Sequence, residues 1–127
     1  MNLTDIVRVT KEKGGVSYSL YNNDMANTPN YALSIYKDKE TIIPLDEFND
    51  EYIKQFIFLN GDILHEENVM IGTWVHEGNV YLDIALLYPK DIFTSDVIKN
   101  IARDNKQLAY FDLETMQSIY EHTLETN

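Results

Sequence analysis

The chain has no cysteine, no apolar run long enough to form a membrane-spanning helix, and few bases for its acids. Each absence excludes something. Without cysteine there is no disulfide framework, no thiolate zinc site and no cysteine nucleophile, and the composition fits a reducing compartment. The opening "MNLTDIVRVTKEKGG" carries charges where a secretory signal needs an apolar stretch. A cytoplasmic protein with no membrane partner is the expectation. With 10 Lys and Arg against 21 Asp and Glu, the net charge is −11 at pH 7, a surface that repels phosphate backbones. Direct nucleic-acid binding is therefore not expected. Also missing are internal repeats, a phosphate-cradling glycine loop and a nucleophile elbow, so no cofactor and no reaction is specified.

What is present suits one domain over residues 1–127. Apolar residues make up 44% and aromatics 12%, ample for a core without a metal or disulfide staple. The charge is unevenly placed. Residues 1–44 balance five acids with five bases, so the whole excess falls beyond residue 44. It is densest between 45 and 67, where Asp46, Glu47, Asp50, Glu51, Asp62, Glu66 and Glu67 face only Lys54. Such a stretch either keeps the protein soluble or attracts a partner with a basic surface.

Period-two alternation in "TDIVRVT" and "GVSYSLY" around "KEKGG" predicts a first hairpin. "NNDMANTPN" reads as a loop, "YALSIYK" as a strand, and "TIIPLDEF" as an extended segment whose ladder stops at Pro44. In "NDEYIKQFIFLNGDIL" the period changes: Tyr52, Phe56, Leu59 and Ile63 form a helical stripe behind an Asn49 cap, with Gly61 disturbing the last turn. A second helix starts at Thr94 or Ser95, turns Val97, Ile98, Ile101 and Ala102 inward, and stops near Asn105. "QLAYFD" returns to a strand, and a turn at Glu114 and Thr115 leads to a last strand through Ile119. The fold class is α+β: a mostly antiparallel sheet of five to seven strands with two helices on one face.

The stretch "MIGTWVHEGNVYLDIALLY", residues 70–88, reads as the central hairpin. A turn at Gly78 and Asn79 pairs Glu77 with Val80, His76 with Tyr81 and Trp74 with Asp83. A turn at Glu77 and Gly78 sorts the side chains identically, because the parity is the same. One face carries Ile71, Thr73, Val75, Val80, Leu82, Ile84 and Leu86, a core face. The other gathers Trp74, His76, Tyr81 and Asp83. These four are the candidate ligand-binding residues: Trp74 and Tyr81 stack a planar molecule, and His76 or Asp83 orients it. A His76–Asp83 pair would also suit general acid–base work, whereas the same residues as plain cross-strand neighbours contribute about 0.2–1 kcal/mol per pair. No catalytic residue is assigned.

Metal sites find little support. His65 beside Glu66 and Glu67 lacks the paired-histidine helical spacing of zinc proteases, and "DEFNDEYIKQFI" lacks the central glycine of a calcium loop. His122 reads as a solvated tail residue.

The succession "GTW", "VYLD" and "NKQLAYFDL" resembles small uncharacterised proteins encoded by bacteriophages and bacterial mobile elements. The matching positions are Gly72, Thr73 and Trp74, then Val80 to Asp83, then Asn105, Gln107, Ala109, Phe111 (or Tyr110) and Asp112. The resemblance implies a phage-like origin in the cytoplasm of a bacterial host and brings no activity. With the acidic excess it leads to one expectation, a non-enzymatic accessory protein that binds a basic host protein through Asp46, Glu47, Asp50, Glu51, Glu66 and Glu67. Inhibition of a nucleic-acid-handling defence enzyme is its extreme form. The alternative is a small-ligand module on the Trp74 and Tyr81 face, and a homodimer through an exposed sheet edge stays open.

Overall fold

The first segment is a helix, not the strand its alternation predicts. In the computed structural model, which describes residues 2–21, 23–107 and 109–120, α1 spans Leu3–Lys13. Val7, Val9 and Thr10 are β-branched and mimic a strand, yet Leu3, Ile6, Val7 and Thr10 also fall at helical spacing, and both ends are capped. The Asn2 carboxamide accepts from the Asp5 N–H (2.8 Å) while Asp5 accepts from the Asn2 N–H (3.1 Å), a reciprocal capping box. Gly14, at φ 90°, donates its N–H back to the Thr10 carbonyl and ends the helix. The buried Thr10 hydroxyl meets that of Thr73 at 2.6 Å and ties α1 to the sheet.

Strands β1 (Gly15–Ser19), β2 (Asn23–Asp24), β3 (Asn30–Leu33) and β4 (Thr41–Pro44) follow. β3 stops at Leu33, short of the strand expected over "YALSIYK", and the chain leaves the sheet through a 3₁₀ turn at Lys37–Lys39. Helix α2 (Asp50–Leu59) begins at its expected cap, where Asn49 accepts from the Glu51 N–H at 3.0 Å. Its stripe is corrected. Asn60 folds its amide onto the Phe56 carbonyl (2.9 Å), and the chain restarts as the single turn α3 (Gly61–Leu64). Ile53, Phe56 and Leu64 therefore take the core positions, leaving Leu59 77% exposed.

β5 (Val69–His76) and β6 (Asn79–Pro89) form the expected ribbon with a different turn. Glu77 and Gly78 both have positive φ (49° and 79°), the arrangement whose twist matches two right-twisted strands. The register is shifted accordingly, with His76 opposite Asn79, Trp74 opposite Tyr81 and Gly72 opposite Asp83. The face assignment is the one read from the pattern. Helix α4 (Ser95–Asp104), capped by the Thr94 hydroxyl, then leads to β7 (Ala109–Asp112) and β8 (Gln117–Tyr120).

Among the described residues the architecture is α+β, with four helices against one antiparallel eight-stranded sheet ordered β2-β1-β5-β6-β3-β7-β8 and β4 paired to β6. Ile6 of α1, Ile53 and Phe56 of α2, and Leu64 of α3 pack on Val16, Ile71, Leu82 and Ile84. Ile98 and Ala102 of α4 pack on Tyr31, Leu33 and Tyr110. By register these are the same sheet face, so the helices cover one side only. The other side curls into a half-barrel. The Met25 N–H donates to the Ser17 carbonyl and the Asn27 N–H to the Leu113 carbonyl, both at 2.8 Å, stitching β1 to the end of β7. That closure buries Met25, Ala32, Met70, Ala85, Leu87 and Leu113 at one end of the concave face. Among the described residues no helix is long and apolar enough to cross a membrane.

Candidate functional site

The concave face stays open where the closure ends. β6 is longer than its outer partners, so β4 pairs with its residues 79–82 and β3 with residues 86–89. Asp83, Ile84 and Ala85 lie between the two ladders. A groove of about 660 Å³ runs over this split, floored by β1, β5 and β6 and walled across the curl by β7 and β8.

Two glycines make its floor. Gly72 stands opposite Asp83, and a Cβ built there would collide with Asp83 Oδ1, so the carboxyl group lies over a strand position with no side chain. Gly15 stands opposite Trp74, and a Cβ there would come within 2.7 Å of the Thr73 carbonyl oxygen. Trp74 therefore has a glycine across from it on β1 and another two residues along β5. On its third side Tyr81 stacks against it, ring centroids 4.3 Å apart and planes 18° from parallel. The indole is 40% exposed and lines the groove. Ser17 and Ser34 supply hydroxyls on the near wall; Ala109, Phe111, Ser118 and Tyr120 face them.

Asp83 is the charged group of the floor. Ser34 donates its hydroxyl to Asp83 Oδ2 at 3.3 Å, and among the described residues no basic side chain forms an ion pair with it. Burial pushes its acid constant up to about 6, with the Ser34 hydrogen bond and Lys37 pulling down and Glu40 adding to the rise. Among the described residues the one other charged side chain on the lining is Lys13, which is exposed.

The four ligand residues read from the sequence are thus divided. Trp74 and Asp83 line the groove, while Tyr81 supports Trp74 from behind. His76 lies two same-face steps from Asp83, roughly 13 Å along the ribbon at strand rise. Its Nε2 is 3.6 Å from Glu77 Oε1, so the expected His76–Asp83 pair does not form. Sequence patterns do not single out Ser34, Gly15 or the β7–β8 wall. Gly72, a glycine inside a strand pattern, was the available signal of a close approach.

The acidic candidates are divided too. Asp46 and Glu47 belong to a 3₁₀ turn, and Asp50 and Glu51 to the first turn of α2, where Asp50 accepts from the Thr4 hydroxyl at 2.8 Å and Glu51 pairs with Lys54. Glu66 and Glu67 follow α3, beyond the far end of α2, a helix about 15 Å long. His65 bonds the Gly61 carbonyl at 2.6 Å, and among the described residues no group of three His, Asp or Glu gathers as a metal site. His122 lies outside the described residues. No family model, curated protein or solved structure matches the chain.

Proposed function

We propose that this protein is a small-ligand binding module whose site is the concave groove over Gly15 and Gly72. One observation carries the reading: a cleft of about 660 Å³, within the usual range for ligand sites, with an aromatic wall at Trp74 and a carboxylate at Asp83. The rest of the lining mixes glycine, alanine and serine on the floor with the aromatic rings of Phe111 and Tyr120 on the facing wall, which suits a flat molecule slid between β5 and the β7–β8 wall. Trp74 is the sole tryptophan, so its emission reports on this groove alone. Fluorescence titration and thermal-shift screening with nucleotides and other planar compounds test the reading. A saturable change in emission with a matching rise in Tm is expected; flat responses across the set would overturn it.

A second reading has its own support. Phe58 and Leu59 are 85% and 77% exposed at the C-terminal end of α2, an apolar knob that in sequence falls between the acidic residues before and in the first turn of α2 and those after α3. An apolar centre with a charged rim suits a protein partner, here one with a basic surface. On this reading the protein is a phage-like accessory factor that engages a host protein in the bacterial cytoplasm. Capture of a partner should weaken with salt and with charge reversal at Asp46, Glu47, Asp50, Glu51, Glu66 and Glu67. Binding indifferent to both would remove it.

A further inference from the structure

We infer that the groove selects an organic cation, a flat ring system bearing one protonated amine or amidine, with the ring against Trp74 and the positive group on Asp83. The inference rests on the groove being the ligand site and names the class of ligand it takes.

The geometry argues from what surrounds the carboxylate. Asp83 is accommodated above Gly72 by the absence of any side chain there, and it lines the groove. Among the described residues its side-chain hydrogen-bond partner is one hydroxyl, at 3.3 Å, which leaves most of its accepting capacity unmet. An anion placed in the groove meets this carboxylate within a chain of net charge −11, and a neutral ring leaves the charge uncompensated. A cation supplies the short charge-assisted hydrogen bonds that a drawn-in carboxylate lacks, and an amidine supplies two in parallel.

The indole fits the same ligand. Tyr81 covers it from the β6 side and the His76 ring lies 5.6 Å away along β5, whereas toward Gly15 and Gly72 the facing strand positions carry no side chain. A planar cation set there gains contact with an aromatic face and with the carboxylate on the adjoining rung at once. Lys13 is exposed and solvated, so it bears on a ligand's outer end more than on its charged one.

The test uses three isosteric probes on the full chain: benzamidine, benzamide and benzoate, followed by calorimetry and by amide shifts at Ser34 and Gly72. Benzamidine should bind about tenfold or more tightly than benzamide, the span expected of hydrogen bonds to a charged group, and benzoate should not bind. In Asp83→Asn the preference for benzamidine over benzamide should vanish. Equal binding of benzamidine and benzamide to the unaltered protein would overturn the cation class while leaving the groove as a ligand site. A preference that survives Asp83→Asn would overturn it by placing the cation elsewhere. No binding of any probe, with flat responses in the wider screen, would sink both this inference and the reading beneath it.

Discussion

Asp83 and Asp112 are both carboxylates drawn into the same sheet, on opposite faces, and the protein treats them in opposite ways. Asp112 has its cation built in: Lys90 donates to it at 2.9 Å, and the N–H groups of Glu114 and Thr115 add contacts at 3.0 and 3.4 Å. Burial pushes Asp112 up, but the Lys90 hydrogen bond and the two backbone donors outweigh it, so the group sits below the usual carboxylate range. Lys90 is held well above its usual range, first by Glu114 and then by Asp112, and lies 5.0 Å from the Tyr31 ring centroid. Asp83 has a hydroxyl and, among the described residues, no ion pair, only the field of the more distant Lys37, and burial leaves its acid constant near 6. A carboxylate whose counter-charge is supplied by the fold is architecture. One kept without it, over a glycine and beside an indole, is maintained against stability, the usual condition of groups that bind something.

The largest expected effect tests the architectural half. Asp112→Ala leaves Lys90 with Glu114 as its partner but removes the carboxylate that accepts from Lys90 and from two backbone N–H groups at the turn between β7 and β8, and losing these charge-assisted hydrogen bonds should cost about 3 kcal/mol or more. Denaturant unfolding measures it, and a loss under about 1 kcal/mol would place Asp112 with exposed pairs, which contribute that little. The sign in pH follows from the lowered constant. The contribution of Asp112 is present above its ordinary value of 3.8 and is lost as pH falls through the lower folded value.

Asp83→Asn should move stability the other way. The folded constant is raised from 3.8 to about 6, so the stability linked to Asp83 is whole below 3.8 and is lost as pH rises through about 6. Replacing the carboxylate with an amide should therefore raise stability at neutral pH by roughly 3 kcal/mol, at about 1.4 kcal/mol per pKa unit. The gain should shrink through that window and vanish below it. An Asp83→Asn protein no more stable than the parent at neutral pH would erase the contrast between the two aspartates.

Much of the frame could be read from residue order, and the parts that could not have physical reasons. The caps at Asn49 and Thr94 and the ribbon's two faces are local or near-local signals, and the structure has them where the pattern puts them. α1 was hidden because β-branched residues carry two periodicities at once; the box from Asn2 to Asp5 and the stop at Gly14 were the signals that separate them. The turn register slipped by one position, since either turn leaves the parity unchanged. The groove was the least visible. Ser34, Gly15 and Phe111 reach it only through strand order and curl, which side-chain alternation does not encode.

Gly72→Ala sharpens the comparison from the strand opposite. The added methyl meets Asp83 Oδ1, and overpacking of this kind typically costs about 1–3 kcal/mol. In an Asp83→Ala background the obstacle is gone, so the same substitution should cost distinctly less, and the double-mutant cycle reads the difference. Additive losses would mean that the glycine serves strand packing and not the carboxylate.

Trp74→Ala should have the smallest effect on stability and one of the largest on ligand capture. The indole is 40% exposed and its main contact is the Tyr81 ring, a cross-strand aromatic pair contributing about 0.5–1 kcal/mol. Its loss leaves the helix-side core untouched, because Trp74 projects from the opposite face to Ile71, Thr73 and the residues packed on α1. A fold barely changed in Tm that no longer shifts its Ser34 and Gly72 amides with benzamidine is the expected outcome. A large loss of stability would instead make the Trp74 and Tyr81 stack a structural staple of the ribbon, the role that Lys90 and Asp112 fill at the other end of the sheet.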